Sequence, residues 1–139
     1  MVHALEELRR VLVPHAVLID LRPLTGNWPV EVVSGRETVE AGRVSDLPLG
    51  LEDDAAANLA MQGAEESRWF SREREEFFSF HYYWDSPREM QEYVEEEWAD
   101  FIGIEETVWK NIRSLWAVAN ADARLRVRLK MLITRWTKA

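Results

Sequence analysis

A short apolar run, Ala16 to Leu21, constrains the fold of this chain more than any other sequence feature. Its side chains are apolar on both alternating faces, except at Asp20. This is the pattern of a strand that is buried between two layers, as in the parallel sheet of an α/β protein. The sequence therefore predicts an α/β fold in which residues near Ile19 form an interior strand.

The segments on either side of this run predict a helix and a hairpin. Val2 to Val13 carries a leucine stripe at helical spacing, and Pro14 stops the helix. Two β-prone runs follow, Pro29 to Val33 and Glu37 to Val44. The turn-forming residues Ser34-Gly35-Arg36 separate them, which favours a β-hairpin.

The middle of the chain predicts a helix, a strand and a second helix. Leu51 to about Trp69 is rich in alanine and favours a helix. Phe77 to Trp84 alternates large aromatic residues on both faces, which favours a strand. The next helix has a clear start, because Ser86 is a typical cap, Pro87 suits the first helical position and Glu89 completes a capping box.

The last part of the chain predicts one more helix, about Glu105 to Ala119, and a final strand, Arg124 to Trp136. The odd-numbered residues of the strand, from Leu125 to Ile133, are apolar and predict a core face. The other face begins with a basic row of four residues, Arg124, Arg126, Arg128 and Lys130. Like charges on one strand face need counter-charge, which we expect from Glu73, Glu75 or the acidic helix after Pro87, with an anionic ligand as the less favoured alternative.

Length, charge and composition narrow the class of protein. The chain has 139 residues, which fits a single domain over residues 1–139. It has no cysteine, which excludes disulfides and thiolate metal sites, and its three histidines are too widely spaced to predict a metal site. A net charge of −8 argues against nucleic acid and anionic membranes as partners. No segment predicts a membrane helix or signal peptide, so we expect a cytoplasmic protein.

The stretch from Ala4 to Asp20, ALEELRRVLVPHAVLID, resembles the passage into the fifth strand of class I S-adenosylmethionine-dependent methyltransferases. That family typically has a helix ending in Arg-Val-Leu-x-Pro-Gly-Gly, followed by a strand of the type Leu-Leu-Ile. This chain has Pro14-His15-Ala16 where the two glycines would lie. The later order of predicted elements is similar as well. The resemblance implies a partial, Rossmann-like methyltransferase sheet with an antiparallel last strand and flanking helices.

The resemblance also implies what the chain lacks. In this family the cofactor is held by a glycine-rich loop after the first strand and an acidic residue after the second, and both would precede residue 1. We therefore expect a C-terminal half that does not catalyse methyl transfer alone, with no cofactor-binding, catalytic or metal-binding residue. S-adenosylmethionine would bind only if another chain supplied the N-terminal half.

Five residues are candidates for the substrate side of such a fold. Open α/β sheets bind ligands beyond the carboxyl ends of their strands, where the loop after the predicted strand begins. The candidates are Arg22, Asn27 and Trp28 in that loop, and His81 and Tyr83 in the aromatic strand. His81 could act as a general base only in a polar pocket, and packing at the edge of an aromatic core is the favoured alternative. Trp28 has the same alternative, as a residue that caps the core.

Removal of the N-terminal half would uncover one edge of the predicted interior strand. Candidate interface residues on it are Val17, Leu18, Ile19 and Leu21. A bare edge invites pairing with another chain. Two hypotheses follow: two copies pair antiparallel across a twofold axis, or a partner chain supplies the missing half and completes an enzyme that methylates a small molecule.

Overall fold

The computed structural model describes residues 1–35 and 37–139, so Arg36 of the predicted hairpin turn lies outside the described residues. These residues form an α/β structure, as predicted. The helices are α1 (Val2–Val11), α2 (Pro48–Glu66), α3 (Pro87–Tyr93) and α4 (Glu106–Ala117), and a π-helical turn, Val94–Trp98, continues α3. The strands are β1 (Val17–Leu24), β2 (Pro29–Ser34), β3 (Glu37–Arg43), β4 (Ser45–Asp46), β5 (Phe70–Trp84), β6 (Ile102–Gly103) and β7 (Arg124–Lys138).

Strand β7 organises the main sheet. The strand order is β1–β7–β2–β3, and β5 also pairs with β7. Strand β2 is antiparallel to both β3 and β7, which confirms the predicted hairpin of β2 and β3. The last strand thus pairs with β1, β2 and β5. Strands β4 and β6 form a separate antiparallel pair.

The chain, predicted as one domain, divides into two compact units. Unit 1 contains Met1–Leu24, Glu52–Phe78 and Met131–Ala139, and unit 2 contains Thr25–Leu51 and Ser79–Lys130. In unit 1, α1 and α2 pack on one face of the strands. Their core cluster consists of Leu5, Ala60, Met61, Ala64, Phe70 and Trp136, with Leu8, Leu12, Leu18 and Trp69 packed against it. The predicted leucine stripe of α1 therefore faces the core.

Strand β1 is a strand as predicted, but the expectation that it is buried between two layers is wrong. Val17, Ile19 and Leu21 are 46%, 51% and 54% exposed. The intervening residues are mostly but not completely buried, and Leu18 packs against the core cluster of unit 1. Burial alternates because α1 and α2 cover the face of β1 that carries Leu18, while the other face stays accessible to solvent.

Unit 2 has its own core, built from strands β2 and β7 and from α3 and α4. Val30, Leu125 and Val127 are fully buried from the strands, as are Met90 and Ile112 from the helices. The predicted start of α3 is confirmed. Ser86 Oγ accepts a hydrogen bond from the Glu89 amide at 3.2 Å, and Glu89 Oε2 accepts one from the Asp85 amide at 3.1 Å. These bonds satisfy amides that the helix itself leaves free.

The two long strands differ from their predictions. In β7 the odd-numbered residues are buried only as far as Leu129, and from Leu132 the even-numbered residues are buried instead. The predicted core face is therefore wrong after Lys130, which is where β7 passes from unit 2 to unit 1. Strand β5 begins at Phe70 instead of Phe77, and its middle residues are exposed.

Gly42 of β3 marks a close approach of α4 that we expect to be sensitive to mutation. A Cβ atom at Gly42 would lie 2.7 Å from Val108 Cγ2 of α4. Gly42→Ala should therefore lower the free energy of unfolding by about 1–3 kcal/mol, measured by urea denaturation. In the Val108→Ala background the same change should cost less, and the part of the cost that remains comes from the φ of 158° at Gly42, which is unfavourable for alanine. Equal costs in the two backgrounds would show that this contact is not the cause.

Candidate functional site

The five candidate substrate-side residues do not belong to one unit. Arg22 lies in unit 1, whereas Asn27, Trp28, His81 and Tyr83 lie in unit 2. Arg22 was expected in the loop after the strand, but it lies within β1, where its Nη2 donates a hydrogen bond to Asn58 Oδ1 of α2 at 2.8 Å. Arg22 therefore has a polar partner within its own unit.

In unit 2, Asn27 stabilises a loop and Trp28 belongs to the core. Asn27 has a left-handed backbone with φ of 49°. Its amide donates to Asp46 Oδ2 at 3.1 Å, and the Asp46 amide donates to Asn27 Oδ1 at 3.2 Å. Trp28 is 9% exposed and packs edge-on against Trp98, with ring centroids 5.8 Å apart. The alternative in which Trp28 contributes to the core is the one that this geometry favours.

Four aromatic rings of unit 2 pack closely enough to exclude a binding cage between them. They are Tyr82, Trp84, Tyr93 and Trp98, and every pair of them has its centroids between 5.1 and 6.0 Å apart. At these separations the rings contact one another and leave no space for a ligand. Burial raises the pKa of Tyr93, and a hydrogen bond with Tyr82 raises it further. This cluster stabilises the fold.

His81 and Tyr83 lie on the other side of β5, next to the basic residues of β7. The ring of His81 contacts that of Tyr83 edge-on at 6.1 Å. The guanidinium carbon of Arg124 lies 4.7 Å from the centroid of the Tyr83 ring. Arg126 also hydrogen-bonds Tyr83. The two residues thus lie beside a polar surface, although His81 itself makes an aromatic contact.

Glu31 is the centre of this polar surface, and the sequence analysis missed it. Its side chain is only 7% exposed and receives two hydrogen bonds from Arg126, both at 3.2 Å. Arg128 Nε lies 3.5 Å from Glu31 Oε1. Burial acts to lower the pKa of Arg126, but the hydrogen bonds and electrostatic interactions with Glu31 and Tyr83 together outweigh it, so the pKa is raised. The pairing register of β2 and β7 is the signal that could have revealed Glu31, because Glu31 lies directly opposite Arg126.

The counter-charges of the basic row differ from those expected. Glu31 neutralises Arg126 and Arg128, and Asp85 pairs with Arg124 at 3.1 Å. Glu73 pairs instead with Arg135 at 3.0 Å, and Glu75 with Arg72 at 3.4 Å. The prediction that Glu73, Glu75 or the acidic helix supplies these charges is wrong for the three arginines. Because protein carboxylates already satisfy them, this surface is best explained as a stabilising ion-pair network.

A basic depression of about 440 Å³ in unit 1 also escaped the sequence analysis. Its cations come from Arg9, Arg10, Arg68 and Lys138. Several of them already have partners in the protein: Arg10 pairs with Glu7, Arg9 lies over Trp69 and Lys138 donates to the Leu12 carbonyl. These contacts explain the cluster without a ligand.

Strand β1 carries the candidate interface residues, and the structure separates them. Val17, Ile19 and Leu21 form an exposed apolar row, whereas Leu18 lies on the opposite face in the core of unit 1. The charged residues of β1 also lie on the face of Leu18. There Arg22 Nε and Asp20 Oδ2 are 3.4 Å apart, with both side chains largely buried. The exposed row therefore carries no charged side chain.

The backbone of β1 exposes hydrogen-bonding groups along its outer edge. Lys138 donates its amide hydrogen to the Ala16 carbonyl at 2.9 Å, so this carbonyl faces β7, whereas the Ala16 amide donates to the Val13 carbonyl at 3.1 Å. Main-chain groups alternate in direction along a strand. Those of Val17, Ile19 and Leu21 consequently point away from β7. Pro23 lies two residues after Leu21, so its main chain also faces away from β7. Proline has no N–H to donate, and the outer side of an edge strand is a typical position for it.

Three further findings concern metal ligands, membrane helices and similar proteins. Among residues 1–35 and 37–139, no three acidic or histidine side chains come together to hold a metal ion. Within the same part of the chain, no helix combines the length and apolar character needed to cross a bilayer. Comparisons of the chain with family models, with curated proteins and with solved structures found no match. The candidate site that emerges from the geometry is the outer edge of β1 with its exposed apolar row.

Proposed function

We propose that this chain is a non-catalytic, methyltransferase-like domain that self-associates or binds a partner chain through the outer edge of β1. The proposal rests on the position of β1 at the edge of the sheet and on its exposed apolar residues. β1 ends the strand order of the sheet, and three apolar side chains on it, Val17, Ile19 and Leu21, are about half exposed. Pairing with another strand would satisfy its main-chain groups and cover part of these side chains.

The energetic case for association rests on this apolar row. Full burial of a large apolar side chain stabilises a structure by about 1.5–3 kcal/mol. Burial of the exposed halves of these three side chains would thus stabilise the complex by roughly 2–4 kcal/mol per chain, without any contribution from hydrogen bonds. Exposed edges in soluble proteins are commonly protected by charged side chains. Here Asp20 and Arg22 lie on the other face, so they do not give that protection to the row.

The methyltransferase-like part of the proposal is supported by the strand order. The Ala4 to Asp20 passage resembles the entry to the fifth strand of that family, and β7 pairs with both β1 and β5, as its last strand would. In the proposed assignment β1 corresponds to the fifth strand, β5 to the sixth and β7 to the seventh. The cytoplasm is the proposed location.

One observation favours a second candidate function. The exposed residues of β1 lie on a face of the strand as well as along its edge, and a face is best covered by a layer of helices. A partner chain that carries the N-terminal half of a methyltransferase would supply both a strand and such a layer. The complex would then bind S-adenosylmethionine and methylate a small molecule.

Sedimentation velocity tests the proposed function directly. We expect the chain to form a dimer or to bind its partner chain, and Ile19→Lys to weaken that association at least tenfold, because it places a charge within the covered row. Val118→Lys is the matched control, since Val118 is an apolar residue of unit 2 that is 83% exposed. Equal loss in both variants would contradict the assignment of the interface to β1.

Cofactor binding separates the two candidate functions. For a non-catalytic module, calorimetry with S-adenosylmethionine should show no binding to the associated form of the chain. Binding by the isolated chain would overturn the proposal that it lacks a cofactor site. Binding that appears only after a partner chain is added would support the second candidate.

A further inference from the structure

We infer that the occupant of the β1 edge is a second copy of this chain, paired antiparallel with Ile19 opposite Ile19 of the second copy on a twofold axis. This inference rests on the proposed function and specifies its partner and register. It follows from the positions of the outward main-chain groups, of one proline and of one carboxylate on β1.

The outward groups favour a register centred on Ile19. Val17, Ile19 and Leu21 each direct an N–H and a C=O to the open edge, whereas Pro23 offers only a C=O. Two antiparallel strands exchange hydrogen bonds where outward residues face each other. With Ile19 on the axis, Val17 faces Leu21 of the second copy and Leu21 faces its Val17. Every outward N–H of the three residues then has an acceptor.

The neighbouring registers are each less favourable. An axis at Asp20 brings two Asp20 side chains face to face, and like charges in that position are destabilising. If the twofold axis passes through Leu21, Pro23 of one copy lies opposite Ile19 of the other. Proline has no N–H, so one hydrogen bond is lost from each strand. An axis at Leu18 places Leu21 opposite His15, whose amide already donates to the Lys138 carbonyl at 3.0 Å.

The charge of the edge explains why a second copy is a suitable partner. The whole chain carries a net charge of −8, so two copies repel each other overall. On β1, Asp20 and Arg22 lie 3.4 Å apart and neutralise each other. A twofold contact uses the same surface on both chains. This edge can meet itself without charge repulsion, and its apolar row continues from one copy into the other.

Single cysteine substitutions can measure the register, because the natural chain has no cysteine. A disulfide in such a variant can form only between two copies. Facing residues of a hydrogen-bonded pair have Cα atoms about 5.5 Å apart, within the roughly 4.4–6.8 Å that a disulfide spans. Ile19→Cys should therefore give a covalent dimer on mild oxidation, seen on a non-reducing gel.

Leu21→Cys is the matched control on the same strand and the same face. In the Ile19-centred register the two substituted positions of this variant are separated by four residues along the strands, about 13 Å, and should not link. Val118→Cys, exposed in unit 2, measures cross-linking by random collision. The double variant Val17→Cys/Leu21→Cys gives a second test of the same register. The cysteine at position 17 of each copy would face the one at position 21 of the other, so two disulfides should form.

The outcomes separate this inference from the proposed function. A wild-type dimer, together with cross-linking of Ile19→Cys well above that of Val118→Cys, supports both. A wild-type dimer in which Leu21→Cys links and Ile19→Cys does not overturns the register and leaves the β1 interface in place. A heterologous complex with monomeric free chain overturns the inference alone. A chain that stays monomeric and binds no partner overturns both.

Discussion

Replacing Glu31 with leucine is expected to lower the free energy of unfolding by about 3–5 kcal/mol, because it leaves Arg126 as a largely buried cation without its main acceptor. The Arg126 side chain is 17% exposed and makes two hydrogen bonds to Glu31. Urea denaturation followed by tryptophan fluorescence measures the change. The effect should appear in unit 2, which contains both residues.

Two further variants show whether an unpaired charge is the cause. The double variant Glu31→Leu/Arg126→Met removes both charges, and we expect it to recover most of the lost stability, since apolar replacements of a buried ion pair are often neutral. Arg128→Gln removes a half-exposed partner at 3.5 Å and should cost less than about 1 kcal/mol. A double variant as unstable as Glu31→Leu would contradict this explanation.

Phe70→Ala is expected to destabilise unit 1 by about 3–5 kcal/mol, because it opens a cavity in a core cluster that has no other phenyl group. Phe70 is 1% exposed and belongs to the cluster that includes Leu5, Met61 and Trp136. The measurement is again the free energy of unfolding in urea. Loss of helix signal from α1 and α2 should accompany it, since both helices pack on this cluster.

Phe78→Ala is the matched control for Phe70, because it changes the same residue type on the same strand. Phe78 is 41% exposed, so its truncation should cost less than about 1 kcal/mol. Similar losses for the two variants would mean that burial in the core of unit 1 is not what makes Phe70 important. The comparison also tests the exposure of the middle of β5.

Some of the fold could be predicted from the sequence because its signals are local. The start of α3 is specified by Ser86, Pro87 and Glu89, which interact within one turn. The β2–β3 hairpin was likewise predicted from two β-prone runs on either side of a short turn. Helix boundaries were less exact, and α2 begins at Pro48 instead of Leu51. Helix ends depend on contacts with neighbouring segments, and the helix propensities of single residues do not describe those contacts.

The candidate site was predicted in part. The apolar run at Ile19 identified four residues of β1 as a candidate interface, but it did not distinguish the exposed Val17, Ile19 and Leu21 from Leu18. Of the five substrate-side candidates, Arg22, Asn27 and Trp28 were chosen because they follow a predicted strand. His81 and Tyr83 were chosen from the aromatic strand, and the structure distributes the five residues between two units. Glu31 was missed because its partner Arg126 is 95 residues away in the chain.

The sequence by itself determined where the main helices and the central parts of the longer strands lie, because periodicity and capping act between residues close in the chain. The tertiary structure alone decided which faces of β1 and of the second half of β7 are buried. The buried residues of β7 change from odd to even numbers after Lys130, and the apolar residues of β1 remain exposed on one face. Both depend on which helices pack against each strand, and those contacts join residues that are distant in sequence.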